Sequence, residues 1–226
     1  MANLGFWQLN RLDQKREFNS VLQAHSSTPI QTLDKAVPDN WNKESSEWMR
    51  VTITGAYDPS KAVTIINRSQ DGTAGYNSVV PFTSLNQRTI LVNRGFVPLV
   101  MEPPIAPTGE IEIVGYLRAS QARSALGPID SKEAGNTEFQ RFDIPLISAH
   151  VGQTIEPMFL QLIEESPADA SQWPAKVALP PLDEGTHMSY AMQWFFFCLV
   201  ALTAWVVVVR RKISQVNAST QEQTSA

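Results

Sequence analysis

Three histidines and one cysteine are the side chains in this 226-residue sequence best suited to hold a metal. His25 and His150 lie in polar surroundings, with no second His, Cys or carboxylate at ligand spacing. His187 differs, because it immediately precedes Met188–Val209, a run of 22 residues without a charge. On a helix continuing from His187, Tyr190, Ala191, Trp194 and Cys198 follow at offsets of 3, 4, 7 and 11 and share one face. That face offers an imidazole at a polar–apolar boundary, a small residue for close approach, and aromatic walls. Haem iron is commonly held by histidine, and the macrocycle needs an apolar, flat-sided cleft. The same pattern also suits a histidine that only caps the helix, on a face that packs against another helix. One helix and one histidine cannot enclose a haem, so a second wall must come from elsewhere. Trp7 and Gln8 are candidates for that wall, and helix–helix packing is their plainer role.

No other constellation points to catalysis. Asn67-Arg68 and Asn93-Arg94 each end an apolar strand-like run, but no nucleophile, base, carboxylate pair or phosphate-cradling glycine loop accompanies them. Asn tolerates the left-handed backbone of a corner and Arg can bond several carbonyls, so these pairs read as holding the fold. The net charge of −4, without a basic patch, argues against a nucleic-acid partner. The only cysteine, Cys198, lies within the apolar run, which excludes a disulfide framework and a zinc finger.

The apolar run would form a helix roughly 33 Å long, enough to cross a hydrocarbon core of about 30 Å. Aromatic residues gather at its start and Trp205 stands near its end, as interfacial anchors do. Arg210-Arg211-Lys212 follows at once, and positive charge marks the cytoplasmic side. The large domain before the span then belongs on the outer side. The N-terminus, however, shows neither a signal peptide nor a span. Leu4-Gly5-Phe6-Trp7 is accordingly expected to be the interfacial end of a first membrane helix whose beginning is absent.

Gly5–Ala24 reads as a charged helical stalk, and His25–Asn42 as a loop with one helical turn. From Trp48 the apolar period becomes two. Strands are predicted at Trp48–Tyr57, Val63–Asn67, Tyr76–Phe82, Thr89–Val97, Glu110–Arg118 and Met158–Ile163, with a possible last one at Lys176–Leu179. Asp71-Gly72 is a hairpin signal, and Pro81 suggests an edge or a strand end. Gly95, inside an apolar strand, suggests a bulge or a close backbone approach. Gln121–Gln140 is expected to be a long loop, and Ile144–His150 a short helix capped by Asp143 with Pro145 in its first turn. The fold class is therefore mainly β, an antiparallel barrel-like domain with a C-terminal transmembrane helix. Its divisions are 1–24, the end of the first membrane helix and stalk; 25–186, the outer β-rich domain; 187–209, the span; and 210–226, a cytoplasmic tail.

An ordered set of motifs resembles the Surfeit locus protein 1 family, the membrane-bound assembly factors of haem–copper cytochrome c oxidase. The set begins with Leu4-Gly5-Phe6-Trp7-Gln8-Leu9-Asn10-Arg11-Leu12 and Lys15, and continues through Val51–Asp58. Asn67-Arg68, Gly75-Tyr76, Val80-Pro81-Phe82 and Ile90–Pro98 follow, and it closes with His187–Phe195. The resemblance implies an N-terminal span, an exported β-rich domain and a C-terminal span. It further implies a non-enzymatic protein that binds haem a and helps its insertion into the oxidase catalytic subunit. The haem a synthesis machinery and membrane lipid would be further partners. His187 would be the haem-iron ligand, and Tyr190, Trp194, Trp7 and Gln8 would line the site. The location would be the bacterial plasma membrane or the mitochondrial inner membrane, with the tail in the cytoplasm or matrix. The rival reading is a structural chaperone that stabilises the nascent oxidase subunit without touching haem.

The charge argument fixes an orientation that can be checked directly. Reporter fusions after Lys212 should read out the cytoplasm, and fusions near Gly135 the outer side; the opposite pattern would reject it.

Overall fold

Six runs of alternating apolar residues become the long strands of one sheet. The computed structural model describes residues 1–38, 42–131, 133, 135–168 and 171–224, with only the backbone for Glu44 and 216–224. Parts of the two expected loops (39–41, 132 and 134) and the last two positions of the expected tail lie outside the described residues. The elements in order are α1 (Ala2–Ser26), β1 (Gln31–Thr32), α2 (Leu33–Ala36), α3 (Lys43–Ser46), β2 (Arg50–Tyr57), β3 (Val63–Gln70) and β4 (Thr73–Ser84). There follow β5 (Thr89–Pro98), β6 (Ile111–Ala119), β7 (Glu138–Phe139), α4 (Ile144–Val151), β8 (Met158–Ser166) and α5 (His187–Thr224). Two compact units form: one from Met1–Val21 together with the chain from Pro181 onward, the other from Leu22–Pro180.

In the Leu22–Pro180 unit the strand order is β1-β2-β6-β8-β5-β4-β3-β7, and β2 makes an additional pairing with β4. The expected antiparallel, barrel-like sheet is met only in part. The sheet is mixed, because β1–β2, β3–β7 and β5–β8 are parallel. Parallel neighbours need a crossover rather than a hairpin, and β8 reaches β5 only after β6, β7 and α4. The expectation of a mainly β chain also holds only for this unit, since α1 and α5 alone contain 25 and 38 residues.

Alternation along the central strands explains why they are buried on both sides. Ile90 and Val92 of β5, Val80 and Phe82 of β4, and Met158 and Leu160 of β8 join one apolar cluster with β2, β6 and α2. Their chain neighbours Leu91, Val79 and Phe159 join a second cluster with Ile144 and Ile147 of α4. There Phe142 stacks on Phe159 with ring centroids 4.0 Å apart. Asp143 accepts from the Leu146 N–H and so caps α4 as expected, with Pro145 in its first turn.

Local departures from regularity follow the residue types. Asp71 and Gly72 both have positive φ, +51° and +78°, as the tight β3–β4 turn requires. Pro81 is internal to β4 rather than at its end. It lies where β4's neighbour on one side changes from β3, paired as far as Val79, to β2, paired from Phe82. Trp48 has φ +69°, so β2 starts at Arg50 and not at Trp48. No strand forms at Lys176–Leu179. Ala175 makes a single bridge to Phe96, and the Gln161 side chain donates to the Val177 carbonyl instead.

Both Asn-Arg pairs stand at shifts of register. Asn67, at φ +58°, lies where β3 slips between Ile65 and Arg68. Its amide donates to Gln140 Oε1 at 2.8 Å, while Arg68 donates to the Gln140 carbonyl. In β5, Asn93 faces Val79 and Gly95 faces Ser78, so Arg94 is the extra residue of a bulge. Gly95 has φ +139°, and a Cβ there would come within 2.3 Å of the Ala175 carbonyl oxygen. The bulge and the close approach expected at Gly95 therefore coincide. Gly95→Val should lower the thermal midpoint by the equivalent of about 1–3 kcal/mol for the strained backbone, with the clash adding to it. An unchanged midpoint in a melting experiment would show that neither feature needs glycine.

Candidate functional site

The expected site residues all belong to the unit built from α1, the segment from Pro181 and α5. Gly5 is buried on α1, and a Cβ there would lie 2.8 Å from two ring carbons of Phe195. Phe6 meets the same ring edge-on, with centroids 5.4 Å apart. One turn before Phe195 on α5, Ala191 is fully buried, and one turn before that stands His187. The face of α5 turned to α1 is thus His187–Ala191–Phe195, at spacings of four. Small residues at such a contact let two backbones approach closely.

Gln8 lies three residues after Gly5, on the same face of α1. Its Oε1 is 2.9 Å from His187 Nδ1, and both side chains are partly buried. Further along α1, Arg16 grips Glu184 with two parallel bonds, Nε to Oε1 at 2.8 Å and Nη2 to Oε2 at 2.9 Å. Asn19 donates to the Asp183 carbonyl at 2.9 Å. Rising numbers on α1 meet falling numbers on the other segment, so the two run antiparallel. The fork holds the Glu184 carboxyl below its ordinary range, chiefly through the hydrogen bond from Arg16. Its contribution is present above the unfolded carboxylate value and is lost as pH falls through the lowered one. Both partners are about half exposed, so that contribution is small.

The structure joins His187 with Gln8. Trp7 is half exposed, with the Arg11 guanidinium 5.5 Å from its ring centroid. Tyr190 is half exposed, and Trp194, partly buried, meets Phe197 edge-on at 6.0 Å. The remaining histidines are engaged elsewhere: His25 Nδ1 lies 2.6 Å from the Glu47 carbonyl oxygen. His150 has a carbonyl oxygen 3.2 Å from each ring nitrogen. Among the described residues no three His, Cys, Asp or Glu side chains gather as a metal cage. A haem iron needs only one protein imidazole, and His187, with one ring nitrogen on Gln8, has the other to offer. Sequence reasoning missed the Arg16–Glu184 fork, since two charges 168 positions apart leave no local signal.

In the Leu22–Pro180 unit a cavity of about 240 Å³ is lined by Thr32, Asp34, Thr52, Thr54, Ser84 and Asn86, among others. None of these residues carries chemistry that the sequence singled out. Asp34 is tied up by Asn86 and Arg88.

α5 contains one segment, His187–Gln215, long and apolar enough to cross a membrane by length and composition, and none of its most apolar window is buried. Residues 1–199 match the SURF1 family. The chain is 29% identical over 201 residues to an uncharacterized SURF1-like protein of Mycobacterium bovis, covering 86% of this chain and 72% of that one. It is 26% identical over 231 residues to a SURF1-like protein of Rickettsia felis, covering 95% and 94%. Surfeit locus protein 1 of Takifugu rubripes is 27% identical over 234 residues, covering 93% and 92%.

The packing at Gly5 generates its own test. Gly5→Val should drive a methyl into the Phe195 ring and lower both accumulation in membranes and thermal midpoint. Adding Phe195→Ala should restore much of the loss by removing the obstacle. A silent Gly5→Val would mean that the two helices do not meet there.

Proposed function

The chain belongs to the SURF1 family, known in general as oxidase assembly factors, and on that premise we propose that it binds haem a and assists its insertion into the oxidase catalytic subunit. The observation that carries the reading is the His187–Gln8 pair, which holds an imidazole where the apolar segment of α5 begins. His187 would be the iron ligand. The half-exposed Trp7 and Tyr190 and the partly buried Trp194 offer aromatic surface for a macrocycle. The iron chemistry is the cofactor's own; the chain's residues bind, orient and shield. No catalytic constellation is invoked, and the protein is read as a non-enzymatic carrier.

The setting follows from the same features. α5 would cross the bacterial plasma membrane or the mitochondrial inner membrane, leaving Arg210-Arg211-Lys212 on the cytoplasmic or matrix side. The Leu22–Pro180 unit would face outward and hold the oxidase subunit and the haem a synthesis machinery. A second reading takes its support from the same hydrogen bond: an imidazole satisfied by Gln8 serves equally as an interfacial cap. The protein would then stabilise the nascent subunit with no haem.

Haem content separates the two. The protein purified from membranes of a host that makes haem a should show haem absorbance. His187→Ala should lose or shift that absorbance while the β-unit melts unchanged, because His187 lies outside its core. His187→Met should retain a weaker, shifted spectrum, since thioether sulfur also ligates haem iron. Equal haem content in the wild type and His187→Ala would leave the structural chaperone as the better account.

A further inference from the structure

We propose that Gln8 is a positioning residue that sets the tautomer of His187, placing the proton on Nδ1 and the lone pair on Nε2. The inference rests on the reading of His187 as an iron ligand and assigns the partner that prepares it. A neutral imidazole has one N–H and one lone pair, and the group facing one nitrogen decides which bears the proton. Gln8 presents its amide oxygen, an acceptor, to Nδ1 at 2.9 Å. The bond therefore runs from Nδ1–H to Oε1, which leaves Nε2 unprotonated. Free histidine in water favours the opposite tautomer, so an unaided His187 would present a proton where a metal needs an electron pair.

The surroundings make Gln8 the group suited to this role. Two main-chain acceptors just before α5 are already used: the Asp183 carbonyl by Asn19, the Thr186 carbonyl by the Tyr190 N–H. The helices are held on both sides of the pair, by Gly5 against Phe195 and by Arg16 on Glu184, which fixes the distance between the two side chains. A ligating histidine whose other nitrogen donates to an oxygen is held in orientation and made a stronger base. Loss of such a partner typically weakens metal binding by about 10–100-fold.

The test reads the tautomer without haem. The full chain, labelled with ¹⁵N-histidine and held in lipid nanodiscs, gives three imidazole signals, and His187→Gln identifies which belongs to His187. Above the pH at which imidazolium forms, the His187 nitrogens should show the Nδ1–H pattern. Gln8→Leu should convert it to the Nε2–H pattern. Gln8→Glu, which keeps an acceptor oxygen in nearly the same shape, should preserve it and serves should the leucine variant fail to fold. An Nε2–H pattern in the wild type, or an Nδ1–H pattern untouched by Gln8→Leu, overturns the proposal. Haem titration of the same samples then tests the positioning role. Gln8→Leu should bind haem at least tenfold more weakly, and Gln8→Glu should bind it comparably with a lowered reduction potential, because a charged acceptor makes the imidazole more electron-rich. Haem affinity and potential insensitive to both substitutions overturn the positioning role. Haem content indifferent to His187 itself sinks instead the reading of His187 as the ligand, and leaves the tautomer assignment standing.

Discussion

A guanidinium sealed inside a sheet must be given partners, and much of the β-unit is arranged around that requirement. Arg94 is 1% exposed. Its Nη1 donates to the Pro104 carbonyl at 3.1 Å, its Nη2 lies 3.6 Å from Glu165 Oε1, and its charge sits 5.6 Å from the centre of the Tyr57 ring. Those partners come from the β5–β6 connection, β8 and β2, so one cation ties together segments far apart in sequence. The Tyr57 hydroxyl also donates to Glu165, and burial pushes that phenol well above its ordinary range, which keeps it a donor. Desolvation makes such a pair an uncertain source of stability. Removing one member is costly all the same, about 3–5 kcal/mol, because it strands a buried charge. The bulge that puts Arg94 out of register and the glycine beside it, against which Ala175 closes, belong to the same arrangement.

The other unit faces a different constraint. Its two parts come from opposite ends of the sequence, and the whole Leu22–Pro180 unit intervenes. Closing a flexible loop of that length would cost on the order of 4–5 kcal/mol. An exposed fork such as Arg16–Glu184 contributes too little to offset that. The folded β-unit reduces the cost by replacing a flexible loop with a fixed body. With α5 read as a membrane span, the contact of Gly5 with Phe195 becomes important, since side chains surrounded by lipid gain little from leaving it and depend on close packing. Bonds between polar groups then fix the register that packing alone leaves loose.

Strands were legible because alternation is a local property. The β3–β4 hairpin, the α4 cap and the unusual backbone at Gly95 were legible for the same reason: a single residue type carries each signal. Pairing between distant segments carries none. The parallel β5–β8 contact, the two-residue β7 and the Arg16–Glu184 fork depend on where the rest of the chain goes. The candidate site divides along the same line. His187 stood out because a lone imidazole ends an uncharged run, and Gln8 because it sits near the matching boundary of α1. The face of α5 was legible only in part. In a segment apolar all round, no change of polarity marks the packed side. The expected face took in His187, Tyr190, Ala191, Trp194 and Cys198; His187 and Ala191 do turn to α1, Phe195 joins them, and Tyr190 is half exposed.

The order of polarity along α1 explains why a neutral amide, rather than a carboxylate, faces His187. With α5 read as a membrane span, Gly5, Phe6 and Trp7 lie at its apolar level and Gln8 at the boundary. The Arg16–Glu184 fork lies eight residues further, roughly 12 Å along a helix at 1.5 Å per residue. The charges of α1 begin at Arg11, one turn after Gln8, and continue toward the fork, where water can solvate them. A carboxylate at position 8 would bind the imidazole proton more strongly but would carry a full charge to the edge of the hydrocarbon, where desolvation is expensive. An amide oxygen accepts the same proton at much lower cost. On the proposed reading of His187, a neutral acceptor at an apolar boundary would also leave the imidazole the lone pair that a metal requires.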